Sequence, residues 1–534
     1  MRNFLLTLLS MTILWSCGPT KTSNTENGNT SSTAVSKVVS ATEVSPETYA
    51  QTITSEELKE MLYVYASDEF EGRETGEPGQ KKAVDYIKAQ YIEMGVESAL
   101  GNNNYFQPVP LSKQKTAVAE VKINGTSFKP FEEQIVLLIN KNVDLSAQEI
   151  VYVGYGIDDE QYSDYSKVDV KGKIVLAKPG EPKDANGNYV TTGSSDESKW
   201  TSGRQALSSK RNAALDNGAA VFMYMDDELF PRYASYFKGQ YESGASGRLS
   251  LNDTDDAMLM LMINADMAEA IHPDIKRDDT AKSIKSDVLV KAENLSEALS
   301  SENVVAYIKG SEKPEEYIVI SSHLDHIGVS NDGQINNGAD DDGSGTVALM
   351  EVAEAFRAAE LAGNGPKRTV VFLHVTGEEK GLLGSRYYTD IAPIFPLENT
   401  IANLNIDMIG RIDPKREGNS NYIYLIGSDK LSSELHSISE EVNSTYCNVE
   451  LDYTYNDEND PNRFYYRSDH YNFAKNNIPV IFYFNGTHAD YHRPSDTPDK
   501  IEYDLMENRT RLVFHTAWEL ANRADRIVVD KSVE

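Results

Sequence analysis

His323, Asp325, Asp340, Asp341, Asp342, Glu378, Glu379, Asp407 and His492 are the side chains in this sequence whose types and order could do chemistry together. All but Asp340, Asp341 and Asp342 follow a short apolar run of β character. His323-Leu-Asp follows Tyr317–Ser321, Gly-Glu378-Glu379 follows Thr369–Val375, Asp407 ends Ile401–Ile406, and Tyr491-His492 lies beyond Ile478–Phe484. The segment Gly338-Ala-Asp-Asp-Asp-Gly-Ser-Gly345 precedes a helical stretch. If these groups converge, at least five carboxylates share one cleft, and like charges at contact distance cannot all stay ionised without compensation. Divalent cations supply it. Two imidazoles among carboxylates suit zinc, whereas an all-oxygen shell would suit magnesium or calcium. The number of groups fits two ions that share a bridging carboxylate and a bridging water, with one Glu left over as a base. His326, His374, His470 and His488 lie in the same region and read as supporting or packing histidines.

Such a site needs elements that deliver its residues to one edge. From Asn303 onward the apolar runs 317–321, 369–375, 401–406, 422–426 and 478–484 alternate with helical stretches such as 347–359 and 431–442. Strands apolar on both faces, alternating with helices, predict an α/β fold whose central sheet is mixed, largely parallel and covered on both sides. Ligands of such sheets bind beyond the carboxyl ends of the strands, where the polar residues lie. Before this region, Leu58, Met61, Leu62 and Tyr65, then Ala83, Ile87, Tyr91 and Ile92, have helical spacing around the loop Glu71–Gly79. Residues 117–300 change character to short β runs such as 150–154 and 173–177, and predict an inserted β-rich domain.

The chain of 534 residues carries 51 Lys+Arg against 83 Asp+Glu, a net charge of −32. That argues against a nucleic-acid-coating protein, which needs a clustered cationic footprint. Two cysteines, Cys17 and Cys447, exclude a disulfide framework as the organising principle. Cys447 reads as a packed hydrophobe. Arg2 and the apolar run Phe4–Trp15 form an export signal, too short for the roughly 20 residues of a membrane-spanning helix.

Two resemblances sharpen these expectations. Leu14-Trp15-Ser16-Cys17 resembles a lipobox, which implies cleavage before Cys17, lipidation of its thiol, and an exported lipoprotein held at the periplasmic or cell-surface side by that anchor alone. The motifs Ser322-His-Leu-Asp-His, Gly338-Ala-Asp-Asp-Asp-Gly-Ser-Gly, Thr376-Gly-Glu-Glu-Lys-Gly-Leu-Leu-Gly-Ser, Asn405-Ile-Asp-Met, Arg467-Ser-Asp-His and Asp490-Tyr-His-Arg-Pro-Ser-Asp-Thr resemble the co-catalytic zinc aminopeptidases of metallopeptidase family twenty-eight.

That resemblance implies the zinc-exopeptidase fold, two Zn²⁺ ions and peptide substrates with a free N-terminus. It implies that His323, Asp341 and Asp407 hold one ion and Asp341, Glu379 and His492 the other. It further implies a cis bond between Asp341 and Asp342, Glu378 as general base and then acid, and Asp325 accepting from the second nitrogen of His323. Tyr491 and Arg467 are candidates to stabilise the oxyanion or orient substrate, and Ser344 is read as a helix cap rather than a nucleophile. Gly154-Tyr-Gly-Ile, Asp169–Leu176 and Asn217-Gly-Ala-Ala-Val resemble a protease-associated domain.

The expected organisation is a signal peptide over 1–16, a flexible tether over 17–46, N-terminal helices of the peptidase over 47–116, the insert over 117–300 and the catalytic domain over 301–525. Open alternatives are a carboxypeptidase or dipeptidase, a single-zinc glutaminyl cyclase of the same fold, or a non-catalytic peptide-binding surface lipoprotein.

Overall fold

The computed structural model describes residues 45–244, 246–251, 258–416 and 418–532. The expected signal peptide, Cys17 and all but the last two residues of the tether lie outside them.

A ten-stranded mixed sheet forms the larger layer. Its centre is a parallel block in which Lys313–His323 pairs with Arg368–Val375 on one side and Thr400–Ile406 on the other, and Thr400–Ile406 pairs with Val480–Phe484. Every residue of the 368–375, 400–406 and 480–484 strands is buried, as sequence runs apolar on both faces require. Antiparallel strands flank the block. Glu297–Ile308 joins beside 368–375, and Tyr422–Ile426 beside 480–484.

Helices cover both faces. Gly345–Leu361 and Tyr503–Asn522 pack with Ser55–Tyr65 and Pro78–Met94 over one face, where Leu58, Tyr91, Phe356, Phe372, Phe514 and Leu520 share a core. The N-terminal helices are thus built into the larger layer although they lie more than 200 residues earlier in the chain. The Ser55–Tyr65 helix starts where Thr54 accepts from the Glu57 N–H, and the Pro78–Met94 helix ends on left-handed Gly95. Among the described residues no helix is long and apolar enough to cross a membrane.

Residues 119–292 supply a second sheet of eight strands. It has its own parallel centre, Val143–Tyr152, Ile174–Ala177, Val221–Met225 and Leu259–Ile263, and is packed with the helices Gly203–Asp216, Phe230–Ser243 and Ala265–Ile271. One strand from this stretch does not join it. Ser246–Leu251 pairs antiparallel with Phe106–Lys115 at the edge of the ten-stranded sheet, because Leu249 and Leu251 pack with Val109 and Leu111 there.

Candidate metal centre

The carboxyl end of the parallel block carries the acidic and imidazole residues together. His323 is the last residue of its strand, Glu378 and Glu379 lie three and four residues past Val375, and Asp407 directly follows Ile406. The segment Ala339–Ser344 crosses this edge before the Gly345–Leu361 helix, and the loop after Phe484 returns Tyr491 and His492 to it.

Asp341 sits at the centre. Its Oδ1 lies 3.3 Å from His323 Nε2, which is 3.6 Å from Asp407 Oδ1. Its Oδ2 faces the other way, 3.0 Å from His492 Nε2, which is 3.1 Å from Glu379 Oε1. One carboxylate therefore presents an oxygen to each of two donor groups, as a bridging ligand must. Within each of the sets His323/Asp341/Asp407 and His326/Asp341/Glu379 the donor atoms lie within 4.8 Å of one another. Asp341 Oδ2 and Glu379 Oε1 are buried without a hydrogen-bond partner. Buried carboxylate oxygens in that condition are costly unless a cation satisfies them. Nitrogen and oxygen donors in this mixture suit zinc, so the residues present fit the expected ions.

The charge balance leads to the same conclusion. Burial would lower the pKa of His323, but Asp407 and Asp341 outweigh it and hold the imidazole well above its ordinary range. Burial likewise opposes a charged His492, yet Asp341 and Glu379 raise it to about 10. Burial would raise Asp341, and the imidazoles of His326, His323 and His492 pull it well below the usual carboxylate range. In the absence of metal, imidazolium protons balance the carboxylates.

Surrounding groups fix the donors. Asp407 Oδ2 accepts from Ser468 Oγ (2.6 Å), which accepts from Asn405 Nδ2 (2.9 Å), while Asn405 Oδ1 accepts from Ser321 Oγ (2.6 Å). This polar row, running from two adjacent parallel strands to the turn before the His470–Ala474 helix, leaves Asp407 Oδ1 facing His323. Asp342 binds the backbone: its carboxylate accepts from the N–H groups of His323 (3.1 Å), Gly345 (2.9 Å) and Met408 (3.1 Å). The Asp341–Asp342 bond is cis.

Two sequence expectations are corrected. Asp325 does not accept from His323 through its carboxylate. His323 Nδ1 meets the Asp325 backbone carbonyl at 3.0 Å, because the carboxylate is drawn away by Thr75 Oγ1 (2.7 Å) and the Glu378 N–H (3.2 Å). The backbone carbonyl can fix the tautomer equally well, and Asp325 instead ties the N-terminal loop and the Glu378 turn to the site. Ser344 does not cap the following helix with its side chain. Its hydroxyl donates to the Asp340 carbonyl (2.8 Å) and accepts from the Ile409 N–H (3.0 Å), and Asp342 takes the Gly345 N–H.

Glu378 lies beside these donors but in neither close set, and burial pushes its carboxyl well above the ordinary range, with Glu379 and Asp407 adding to the effect. It shares a cleft with Asp341, Asp407, Tyr491, Arg467, Thr487 and an apolar wall of Met408, Phe464, Phe482 and Phe484. Tyr491 stacks on His492 at 4.0 Å between ring centroids, and the exposed Arg467 guanidinium lies 4.8 Å over the Phe464 ring. Of the remaining histidines, His374 is buried between Tyr91 and Ser322 and held down to about 3 by burial. His470 stacks on Phe482 and is likewise held near 3, and His488 Nε2 lies 3.2 Å from Asp340 Oδ2. His326 differs from these, because it enters the site itself. Its spacing of three residues after His323 was the available signal. The turn that swings it inward is made by the Glu71–Gly79 loop, far away in sequence.

A probable leucine aminopeptidase of Arthroderma otae is 29% identical over 240 residues, covering 43% of this chain and 61% of that protein. Leucine aminopeptidase 1 of Penicillium rubens is 29% identical over 226 residues, covering 41% of this chain and 56% of that protein. The chain thus spans less than two thirds of either relative. Among solved structures, an aminopeptidase from Aneurinibacillus sp. strain AM-1 is 19% identical with a TM-score of 0.48, covering 91% of this chain and 98% of that one. Residues 303–517, which contain every acidic and imidazole donor described above, match the family model described as Peptidase family M28.

Proposed function

We propose that the protein is a zinc-dependent aminopeptidase that removes N-terminal residues from peptides. The observation that carries this reading is Asp341, whose two oxygens face separate His-carboxylate sets while Glu378 stands beside them in neither close set. His323, Asp341 and Asp407 would hold one ion and Asp341, Glu379 and His492 the other. When bound, such ions polarise a carbonyl and lower the pKa of a shared water toward 7. Glu378 would take that water's proton and pass it to the leaving amine, a role suited to a carboxyl whose pKa is raised by burial. Tyr491 and Arg467, at the cleft, would hold the reacting carbonyl or the substrate chain. The wall of Met408, Phe464, Phe482 and Phe484 supports an apolar first residue, and the surrounding carboxylates would receive its free amino group.

Around that core we propose the rest of the sequence-based organisation: export and lipid anchoring through Cys17, a tether to residue 46, and a protease-associated domain within 117–300. The function is tested with a panel of aminoacyl-anilides, each with a free and an acetylated amino group. Cleavage of free leucyl- and phenylalanyl-anilides, at least about 100-fold faster than the acetylated forms, is expected. Equal cleavage of both would refute an aminopeptidase.

A further inference from the structure

A second cavity borders the metal centre on the side of Glu379. It measures about 510 Å³, and Glu74, Glu77, Lys113, Arg248, Glu379 and Lys380 supply its charged lining. That volume lies within the range of sites that hold small ligands. The apolar wall of Met408, Phe464, Phe482 and Phe484 belongs to a different cleft, bounded by Glu378 and Asp341. A peptide whose first residue occupies that cleft must continue past the metal centre, and the Glu379 cavity offers room for the residues beyond the scissile bond.

The cations and carboxylates of this cavity are not evenly matched. Lys113 Nζ lies 3.4 Å from Glu77 Oε1, and Lys380 Nζ lies 2.8 Å from Glu74 Oε1. Glu379 turns its Oε1 to His492, 3.1 Å away within the metal centre. Arg248 is left over. Among the described residues no carboxylate lies within ion-pair distance of this exposed side chain. Acidic side chains outnumber basic ones 83 to 51 in the chain, so the unmatched guanidinium does not reflect a shortage of carboxylates.

The backbone brings Arg248 to this position by leaving its own neighbourhood. Residues on either side of it build the eight-stranded sheet, whereas Ser246–Leu251 pairs with Phe106–Lys115 at the edge of the ten-stranded one, placing Leu249 opposite Lys113. Leu249 and Leu251 are buried in one cluster with Val109, Leu111 and Leu383. The Leu383 N–H donates to the Gly377 carbonyl at 2.9 Å, closing the loop that carries Glu378, Glu379 and Lys380. The apolar cluster therefore fixes the strand of Arg248 against the loop that supplies the base and a metal donor.

We propose that Arg248 determines specificity by receiving a substrate carboxylate on the leaving side of the scissile bond. Its planar fork suits the task, because it binds a carboxylate through two parallel N–H···O bonds. The C-terminus of a short peptide and an acidic side chain next to the scissile bond present the same planar anion. The proposal rests on the aminopeptidase reading and names its substrate class, peptides with a free N-terminus and an anionic leaving part.

The test compares kcat/KM within two matched pairs. One pair is leucyl-glycyl-glycine and its C-terminal amide; the other is leucyl-glutamyl-glycinamide and leucyl-glutaminyl-glycinamide. Wild-type protein should prefer the acid by at least about 10-fold in one pair or both, as a charge-assisted hydrogen bond allows, and the pair that shows the preference identifies the source of the carboxylate. Arg248→Gln and Arg248→Glu should each cut that preference by at least about 5-fold. Each preference is a ratio within one preparation, so a change in the folded fraction cancels. A smaller preference in both pairs, or a smaller loss in either variant, would overturn the proposal. Cleavage of leucyl-anilide and all four peptides without the preference would leave the aminopeptidase reading standing, whereas no cleavage of any of them would remove both.

Discussion

Glu351 offers a stability test that owes nothing to the metal centre. It lies on the Gly345–Leu361 helix, 1% exposed, with Oε2 lacking any hydrogen-bond partner. Burial first, then the neighbouring carboxylates Glu354 and Glu57, raise its pKa from 4.5 to about 9. Between those values the folded protein retains a proton that the unfolded chain has released, so the free energy of unfolding falls as pH rises across that window. At pH 7.5 the difference spans three pH units above 4.5, a ceiling of about 4 kcal/mol at 1.36 kcal/mol per unit. Local relaxation and water entry bring this to about 2 kcal/mol. Glu351→Gln keeps the shape of the protonated side chain and removes the ionisation. It should stabilise the protein by about 2 kcal/mol at pH 7.5, roughly 2 °C in Tm for a chain of this size, and by less than about 0.5 kcal/mol near pH 5. Thermal and urea unfolding at pH 5, 6, 7 and 8 measure the difference. A variant that is equally stable at every pH, or less stable at pH 7.5, would refute the reasoning.

Three further outcomes follow from the site. Glu378→Gln should lower kcat by about 10²–10⁴ with zinc content unchanged, as loss of a general base requires; kinetics with metal analysis decide it, and full turnover would remove the role. Gly338→Ala would place a Cβ 2.3 Å from the Asp341 carbonyl and 2.5 Å from His326 Cδ2 at φ +56°; Tm should fall by roughly 4–8 °C and zinc should bind more weakly, measured by calorimetry and chelator competition. His323 and His492, both raised by neighbouring carboxylates, must release protons to bind metal. Apparent zinc affinity should therefore climb from pH 6 to pH 9 by about tenfold per unit for each proton displaced, and a flat profile in a pH titration would contradict that charge balance.

The parallel block and its loaded edge were legible because both leave local signatures. Apolar runs over 317–321, 369–375, 401–406 and 478–484 become adjacent buried strands. The same polarity break that ends each run places His323, Glu378, Glu379 and Asp407 at one edge. Long-range placement was not legible. His326 enters the site because the Arg73 carbonyl, some 250 residues earlier, holds its backbone. Asp325 turns away from His323 because Thr75 and the Glu378 N–H compete for its carboxylate. Asp342 rather than Ser344 caps the helix, since the crossing segment aims the carboxylate at three N–H groups from separate strands and the helix start. Ser246–Leu251 joins the larger sheet for the apolar contacts of Leu249 and Leu251 with Val109 and Leu111, which no local pattern reveals.

The central claim, that Asp341 bridges two zinc ions and that both serve peptide hydrolysis, is tested most directly by titrating zinc into the metal-stripped protein while following cleavage of leucyl-anilide. Two equivalents should bind, with activity appearing as both sites fill and the first equivalent alone giving little of it. Full activity at one equivalent, or two bound equivalents with no cleavage of any free aminoacyl-anilide, would contradict the account.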